Sequence, residues 1–393
     1  MPNQLASADL CPVSDRDDRK SAAIARTAQG VESMRVVRDF AEARALLRDP
    51  DARQAGFLAD LVNRVSVTRA PILYAHGAQH RRQRGATARF FAPRVVTSGY
   101  RALMVRTSED LVDRFQRAGS ADLDDIGLEM AVTIAAEIVG LTNSDRAGMA
   151  RRLGALVTGM PQGGSRLAMI LGFARGQARA LNFFWRDVKP AIRARLRQRC
   201  DDVISHLLEE GYSHREILTE CLTYGAAGMV TTREFITMAA WHLLGDDMLR
   251  ARFLDGDEAA RIAILEEILR LEPVVGMLFR RNGTPAGNDP EPVVALDVRG
   301  ANGDEAAVGA CPHRLDPDRK RADKVGGAGL AFGDGEHRCP GAQVALQETA
   351  IFLDTLLRVP GIRLARTPQI GWNGLIAGYE LRGATLACDG AAA

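Results

Sequence analysis

Apolar residues recur at helical spacing over most of the first 270 positions of the chain. Ile126, Met130, Ile134, Ile138 and Leu141 fall three or four apart, which predicts a helix with one buried face over 126–141. Val36 to Leu47 has similar spacing through Val37, Phe40, Ala41, Ala45 and Leu46, and stops at Asp49-Pro50. A basic helix is predicted from Gln79 to Ala92, closed by Pro93, and residues 51–75 are mixed and loop-rich. The stretch 213–245 is mostly apolar and therefore predicts a central helix, whereas Gly159 to Gly164 breaks the pattern as a loop. After Pro273 the period changes. Short apolar runs at 293–298, 375–381 and 384–388, set between Gly, Asn and Asp clusters, predict strands and turns. With no repeat and no linker, the pattern predicts one domain over 31–393, mainly α with a minor β region, behind a flexible lead of residues 1–30.

Composition narrows the partners. The 393 residues carry 51 basic and 49 acidic side chains, a net charge of +2, so nothing points to nucleic acid. Residues 1–20 hold Asp9, Asp15, Arg16, Asp17, Asp18 and Arg19 and no apolar core, and no later run approaches a charge-free span. A cytoplasmic protein with no membrane partner is expected. The six cysteines, at 11, 200, 221, 311, 339 and 388, form no C-x-x-C pair, which predicts reduced thiols without a disulfide framework or a zinc site.

Candidate chemistry concentrates at Cys339, in Phe332-Gly-Asp-Gly-Glu-His-Arg-Cys-Pro-Gly341. The glycines predict a sharply bent loop that delivers the cysteine to the mouth of a helix beginning at Ala342. The positive end of that helix and its first N–H groups favour a thiolate. Pro340 has no N–H, so a backbone hydrogen bond to the sulfur must come from Gly341 or later. Taken alone, such a cysteine reads as a buried structural thiol. The string resembles the haem-binding loop of the cytochrome P450 family, F-x-x-G-x-x-x-C-x-G-x-x-x-A, with Phe332, Gly335, Cys339, Gly341 and Ala345 at its fixed positions.

The resemblance extends in order along the chain. His80 and Arg84, one helical turn apart, resemble the family's H-x-x-x-R, whose cations hold a haem propionate; His337 and Arg281 match the other propionate partners, with Arg280 competing for the place of Arg281. The family's Asp-Pro-Pro-Glu before this pair is His76-Gly77-Ala78-Gln79 here. Glu267 and Arg270 resemble the E-x-x-R pair that locks the core beneath the haem, although the same spacing occurs at Glu32/Arg35 and Glu258/Arg261. Leu315-Asp-Pro-Asp-Arg319 resembles the segment before the cysteine loop. Ala227-Gly228-Met229-Val230-Thr231-Thr232 resembles the oxygen-side helix signature A-G-x-[D/E]-T-T, and its mid-helix Gly and hydroxyls predict a kink.

In that last motif Val230 stands where the family has an acid that feeds protons to oxygen, and Val cannot relay a proton. Glu234, one turn on, can partly substitute if it points the same way. Otherwise water, the substrate or another group supplies protons, or the chemistry is oxidative coupling, dehydrogenation, peroxide use or non-catalytic haem sensing. The resemblance implies the triangular helical prism of the P450 fold, with haem b (iron protoporphyrin IX) between the Thr helix and the Cys-loop helix. It implies Cys339 as the metal ligand, Thr231 at the oxygen, and Ala227 and Gly228 giving room above the iron. It further implies hydroxylation or epoxidation of a mostly apolar small molecule. Electrons would come from a separate ferredoxin and ferredoxin reductase drawing on NAD(P)H, since no reductase module is present, and Arg81, Arg82, Arg89 and Arg338 are candidates for the donor's docking patch. Candidate pocket residues are Phe57, Leu58, Val62, Leu167, Met169, Leu222, Met229, Val275, Met277, Leu278 and Ile376.

Overall fold

The computed structural model describes residues 31, 34–56, 69–158, 166–281, 292–374 and 377–389, with the side chains of 157, 158 and 166–170 also set aside. The lead, the loop at 159–164, and the pocket candidates Phe57, Leu58, Val62 and Ile376 lie outside the described residues, as do the side chains of Leu167 and Met169.

Helices carry the body: α1 Phe40–Arg48, α2 Gly77–Ala88, α3 Arg101–Ala118, α4 Leu123–Val139, α5 Arg146–Thr158 and α6 Arg166–Phe183. They continue with α7 Lys189–Arg197, α8 His214–Tyr224, α9 Thr231–Leu244, α10 Glu258–Leu271 and α11 Ala342–Leu356. The mainly helical class with a small β region is as the pattern predicts. Expected helix starts hold to a few residues, except that Arg35–Val37 is a strand (β1) and the first helix begins only at Phe40. Asp39 explains the boundary, because its carboxylate accepts the Glu42 N–H and caps the helix there.

The central stretch is as expected. Every residue from Thr232 to Leu243 in α9 is buried, and α9 packs on α4 closely enough that a Cβ on Gly127 would lie 3.2 Å from Ile236. Where the sequence predicts a kink, α8 and α9 are joined by a π-helical segment, Gly225–Val230.

Strand β1 lies parallel to β5 (Val293–Asp297), which pairs antiparallel with β4 (Met277–Arg281), itself edged by β2 (Arg53–Ala55). Strand β3 (Ser120–Asp122) and β6 (Arg363–Arg366) flank β9 (Thr385–Ala387), and β7 (Gln369–Asn373) pairs with β8 (Gly378–Arg382) as a hairpin. Periodicity missed β2 and β3, three residues each, β4 and β6, which carry charge on both faces, and β7, whose only apolar side chains are Ile370 and Trp372. One cysteine departs from expectation: Cys311 is disulfide-bonded, whereas Cys200, Cys221, Cys339 and Cys388 are free thiols.

Candidate active site

The loop that carries Cys339 is built by backbone bonds and one anchored carboxylate. The Cys339 N–H donates to Phe332 O at 2.8 Å and the Gly333 N–H to Leu330 O at 2.8 Å, which closes the bend. Gly333 and Gly335 both sit at φ +68°, and a Cβ on Gly335 would fall 2.2 Å from Leu47 O, so the loop presses against the end of α1. Asp334 accepts from Arg44 at 2.9 Å and Arg48 at 3.1 Å and thus ties the loop to that helix.

Cys339 is half-buried at the mouth of α11. Burial raises its thiol pKa, while the Gly341 N–H, then Arg84 and Arg338, pull it down. Gly341 is therefore the backbone donor, the earliest that Pro340 permits. A Cβ on Gly341 would touch nothing, so space lies open beside the sulfur.

Around this space basic side chains converge. His337 stacks on His80 with ring centroids 4.1 Å apart, and His76 meets His337 edge-on at 5.9 Å. Arg84 donates to Arg338 O from α2. Arg280 completes the group: it is buried, donates to Gln54 at 2.5 Å, and burial lowers its pKa to about 10. Burial, with His80, Arg280, His76 and Arg84 around it, drives His337 down to about 3. Alternation along β4 assigns Arg280 to this side and Arg281 to the other, so the arginine that joins the group is not the expected Arg281. Glu336 is the nearby carboxylate, 3.9 Å from His80 Nδ1, and that buried nitrogen makes no hydrogen bond. Two confined guanidiniums, Arg84 and Arg280, beside neutral histidines with an orphaned ring nitrogen fit a ligand that brings carboxylates.

On the π segment, Ala227 and Gly228 are exposed although their neighbours Met229 and Val230 are fully buried, and a Cβ on Gly228 would meet nothing. The wide turn leaves carbonyls to satisfy. Thr231 Oγ1 donates to Ala227 O at 2.6 Å and Thr232 Oγ1 to Gly228 O at 2.7 Å. Val230 faces the core. Glu234 cannot take over the missing acid's place, which corrects the sequence expectation. Its carboxylate is fully buried, accepts from Arg233 at 2.6 Å, Arg382 at 2.7 Å and the Leu381 N–H at 2.7 Å, and so holds the β7–β8 hairpin. Among the pocket candidates, Met229 and Met277 are core residues, while Leu222, Val275 and Leu278 are half-buried.

Sequence reasoning passed over Glu348 on α11. Burial keeps its carboxyl pKa well above the ordinary value, a hydrogen bond with Thr232 pulls the other way, and one carboxyl oxygen has no partner. The signal was available, since Gln347-Glu348 interrupts a run of core positions from Val344 to Phe352. It also missed His76 as a member of the cluster, and Arg319 and Arg321 as partners of Glu267. Phe332 packs half-buried against the core and Ala345 lies half-buried on α11. Arg81, Arg82, Arg89 and Arg338 are all exposed.

No family model matches the chain. Curated relatives do. Cytochrome P450 107B1 of Saccharopolyspora erythraea is 28% identical over 360 residues, covering 87% of this chain and 82% of the relative. The mycinamicin IV hydroxylase/epoxidase of Micromonospora griseorubida is 28% identical over 340 residues, covering 81% and 79%. Among solved structures, CalO2 superposes with a TM-score of 0.76 at 21% identity, over 97% of this chain and 99% of that one.

Proposed function

Because the chain belongs to the cytochrome P450 family, a family of haem-dependent monooxygenases, we propose that it binds haem b through Cys339 and oxidises a mostly apolar natural-product scaffold by hydroxylation or epoxidation. What supports this most is one convergence: a half-buried thiol at a helix mouth, the basic cluster beside it and the opened Thr231 turn. Bound there, the haem would supply reductive activation of dioxygen and transfer of one oxygen atom to a C–H bond or double bond.

The chain's own residues do the rest. His80, Arg84, His337 and Arg280 would hold the propionates, Gly341 would let the ring approach the loop, and Phe332 and Ala345 would back it. Ala227 and Gly228 would leave room for the substrate and oxygen, and Thr231, whose hydroxyl donates to Ala227 O, would offer its oxygen there as an acceptor. Similarity to the mycinamicin IV hydroxylase/epoxidase supports a substrate from secondary metabolism. Electrons come from separate proteins, a ferredoxin and its NAD(P)H-dependent reductase, docking on Arg81, Arg82, Arg89 and Arg338. Among the described residues no helix is long and apolar enough to cross a membrane. We place this single domain in the cytoplasm.

The proton path runs through Glu348. Burial raises the pKa of the Glu348 carboxyl, which shares a hydrogen bond with Thr232, and the Thr232 hydroxyl also meets Gly228 O at 2.7 Å. This buried acid thus reaches the turn that carries Thr231 without using position 230, and water would complete the route. Turnover with ferredoxin, reductase and NAD(P)H tests both claims. Wild type forms oxygenated product; Glu348→Gln, with unchanged haem absorption, loses at least about tenfold in product rate and leaks more peroxide, as removal of a general acid does. Equal rate and leak in the variant would remove Glu348 from the path, and a wild type that loads haem yet never oxygenates would remove the monooxygenase reading.

Arginine variants separate the two candidates in β4. Arg280→Ala is expected to weaken haem retention about tenfold, measured by transfer to apomyoglobin, because it takes away a buried charge-assisted partner. Arg281→Ala keeps wild-type retention. The reverse order would return the role to Arg281.

A further inference from the structure

Exposed large apolar side chains are concentrated on one helical run. Among the described residues, Leu171, Phe173, Leu181, Trp185, Leu196 and Met248 are the exposed large hydrophobics, and all but Met248 lie on the run formed by α6, the π turn Phe184–Val188 and α7. Soluble surfaces scatter such residues singly, so a cluster asks for a cause. At 100° per residue, Leu171, Ala174, Ala178, Leu181 and Trp185 share one stripe. It is roughly 21 Å long at 1.5 Å per residue. All five are exposed. The opposite face packs on α5, where Arg179 donates to Ala155 O at 2.8 Å.

The stripe has a shape and a charge. Ala174 and Ala178 make a shallow floor between Leu171, Leu181 and Trp185, the relief into which a helix ridge seats. Arg175 and Arg186 border it, Lys189 Nζ lies 3.6 Å over the Trp185 ring, and Arg193 and Arg197 continue the basic edge. Residues 166–199 contain nine cations and one acid, Asp187. That acid is spent, fully buried and bonded to Arg152 at 2.6 Å and Ser144 at 2.7 Å. A second copy of this chain would bring like charge to like in a two-fold pairing, which disfavours self-association.

We infer that this stripe is the docking surface for an amphipathic helix of an acidic partner protein, its apolar ridge on Ala174 and Ala178 and its carboxylates on Arg175 and Arg186. Trp at the end of the stripe and Arg along its border are residue types that carry binding energy at such interfaces. The site is separate from the electron-donor patch proposed above, which lies on α2 and the cysteine loop. It stands whether or not that patch does.

The test uses the full haem-loaded chain and a designed three-helix bundle, one helix of which displays Leu and Ala bordered by Glu. A twin bundle carries Lys for Glu, and vesicles of phosphatidylcholine with phosphatidylserine serve as the alternative surface. Fluorescence anisotropy is expected to show saturable binding of the Glu bundle, weakened about tenfold by Trp185→Ala and by the pair Arg175→Glu/Arg186→Glu, with no binding of the Lys bundle. Haem absorption and the thermal midpoint of both variants stay at wild-type values, as these side chains are exposed. Absence of Glu-bundle binding, or equal binding by the variants, overturns the inference. Vesicle co-sedimentation that Trp185→Ala abolishes would reassign the stripe to a membrane surface, and Trp185-dependent dimers in sedimentation would reassign it to a second copy.

Discussion

Cys339→Ser is expected to abolish oxygenation and the thiolate signature of the haem, while leaving the polypeptide folded. The residue is half-buried, and serine differs from it by one smaller atom. What changes is the ligand. Burial raises the Cys339 pKa, and the Gly341 N–H, Arg84 and Arg338 only partly offset it, so the free group holds its proton. A coordinated thiol is deprotonated outright, so haem binding should release a proton. Serine has no comparable anion to offer. Two measurements check this. Calorimetry of haem binding in buffers of different ionisation enthalpy should show a proton released by wild type and none by Cys339→Ser. The absorption spectrum of the reduced carbon monoxide adduct should lose its thiolate form only in that variant. Cys200→Ser, at an exposed free thiol, serves as the control and should behave as wild type. Product formation by Cys339→Ser at the wild-type rate would show that the sulfur is not the ligand.

The parts of the site that could be read from sequence are those fixed by local spacing. The cysteine loop depends on glycines at particular φ and on a helix start, and both are written within ten residues. The kink at Gly225–Val230 was legible because Gly and hydroxyl residues interrupt an apolar helix. Distant partners were not. Arg280 and Arg281 are adjacent letters, and only the pairing of β4 with β2 and β5 decides which one faces His337. Glu234 looked available one turn beyond Thr231, yet it is consumed by Arg382 and the Leu381 N–H, nearly 150 positions away. Glu348 reads as an ordinary helix residue until α11 is laid against α9. The E-x-x-R spacing makes the same point. Glu258 and Arg261 share it but do not pair, since Glu258 accepts from Arg101 at 2.6 Å and Arg261 donates to Asp354 at 2.9 Å.

Glu267→Ala is expected to give mostly haem-free or insoluble protein. Glu267 is fully buried and accepts from Arg270 Nε and Nη2 at 2.8 Å each, Arg321 Nη2 at 3.0 Å, and Arg319 Nε and the Asp316 N–H at 3.1 Å. Its removal leaves three guanidinium groups facing each other with Arg270 and Arg319 buried, and breaking a buried pair in this way costs about 3–5 kcal/mol. The damage reaches the haem loop by a short route. Arg270 donates to Asn302 O at 2.8 Å, Asn302 Nδ2 returns a bond to Arg270 O at 3.0 Å, and Asn302 Oδ1 accepts the Leu330 N–H at 2.7 Å. Leu330 is two residues before Phe332, whose carbonyl holds Cys339. The same hub sets an acid limit. Burial pushes the Glu267 carboxyl up, but the Arg270 bonds and the other donors outweigh it and leave the pKa lowered. A lowered carboxylate contributes stability that is fully present above the ordinary value near ~4.3 and is lost as pH falls through the depressed one. Glu267→Gln should therefore be destabilised at neutral pH and show less further loss in acid. Glu258→Ala, whose partner Arg101 is about half exposed, should cost no more than ~1 kcal/mol. Soluble yield, haem-to-protein ratio and thermal midpoint of the three variants decide the matter, and normal haem loading in Glu267→Ala would show that this hub does not hold the loop.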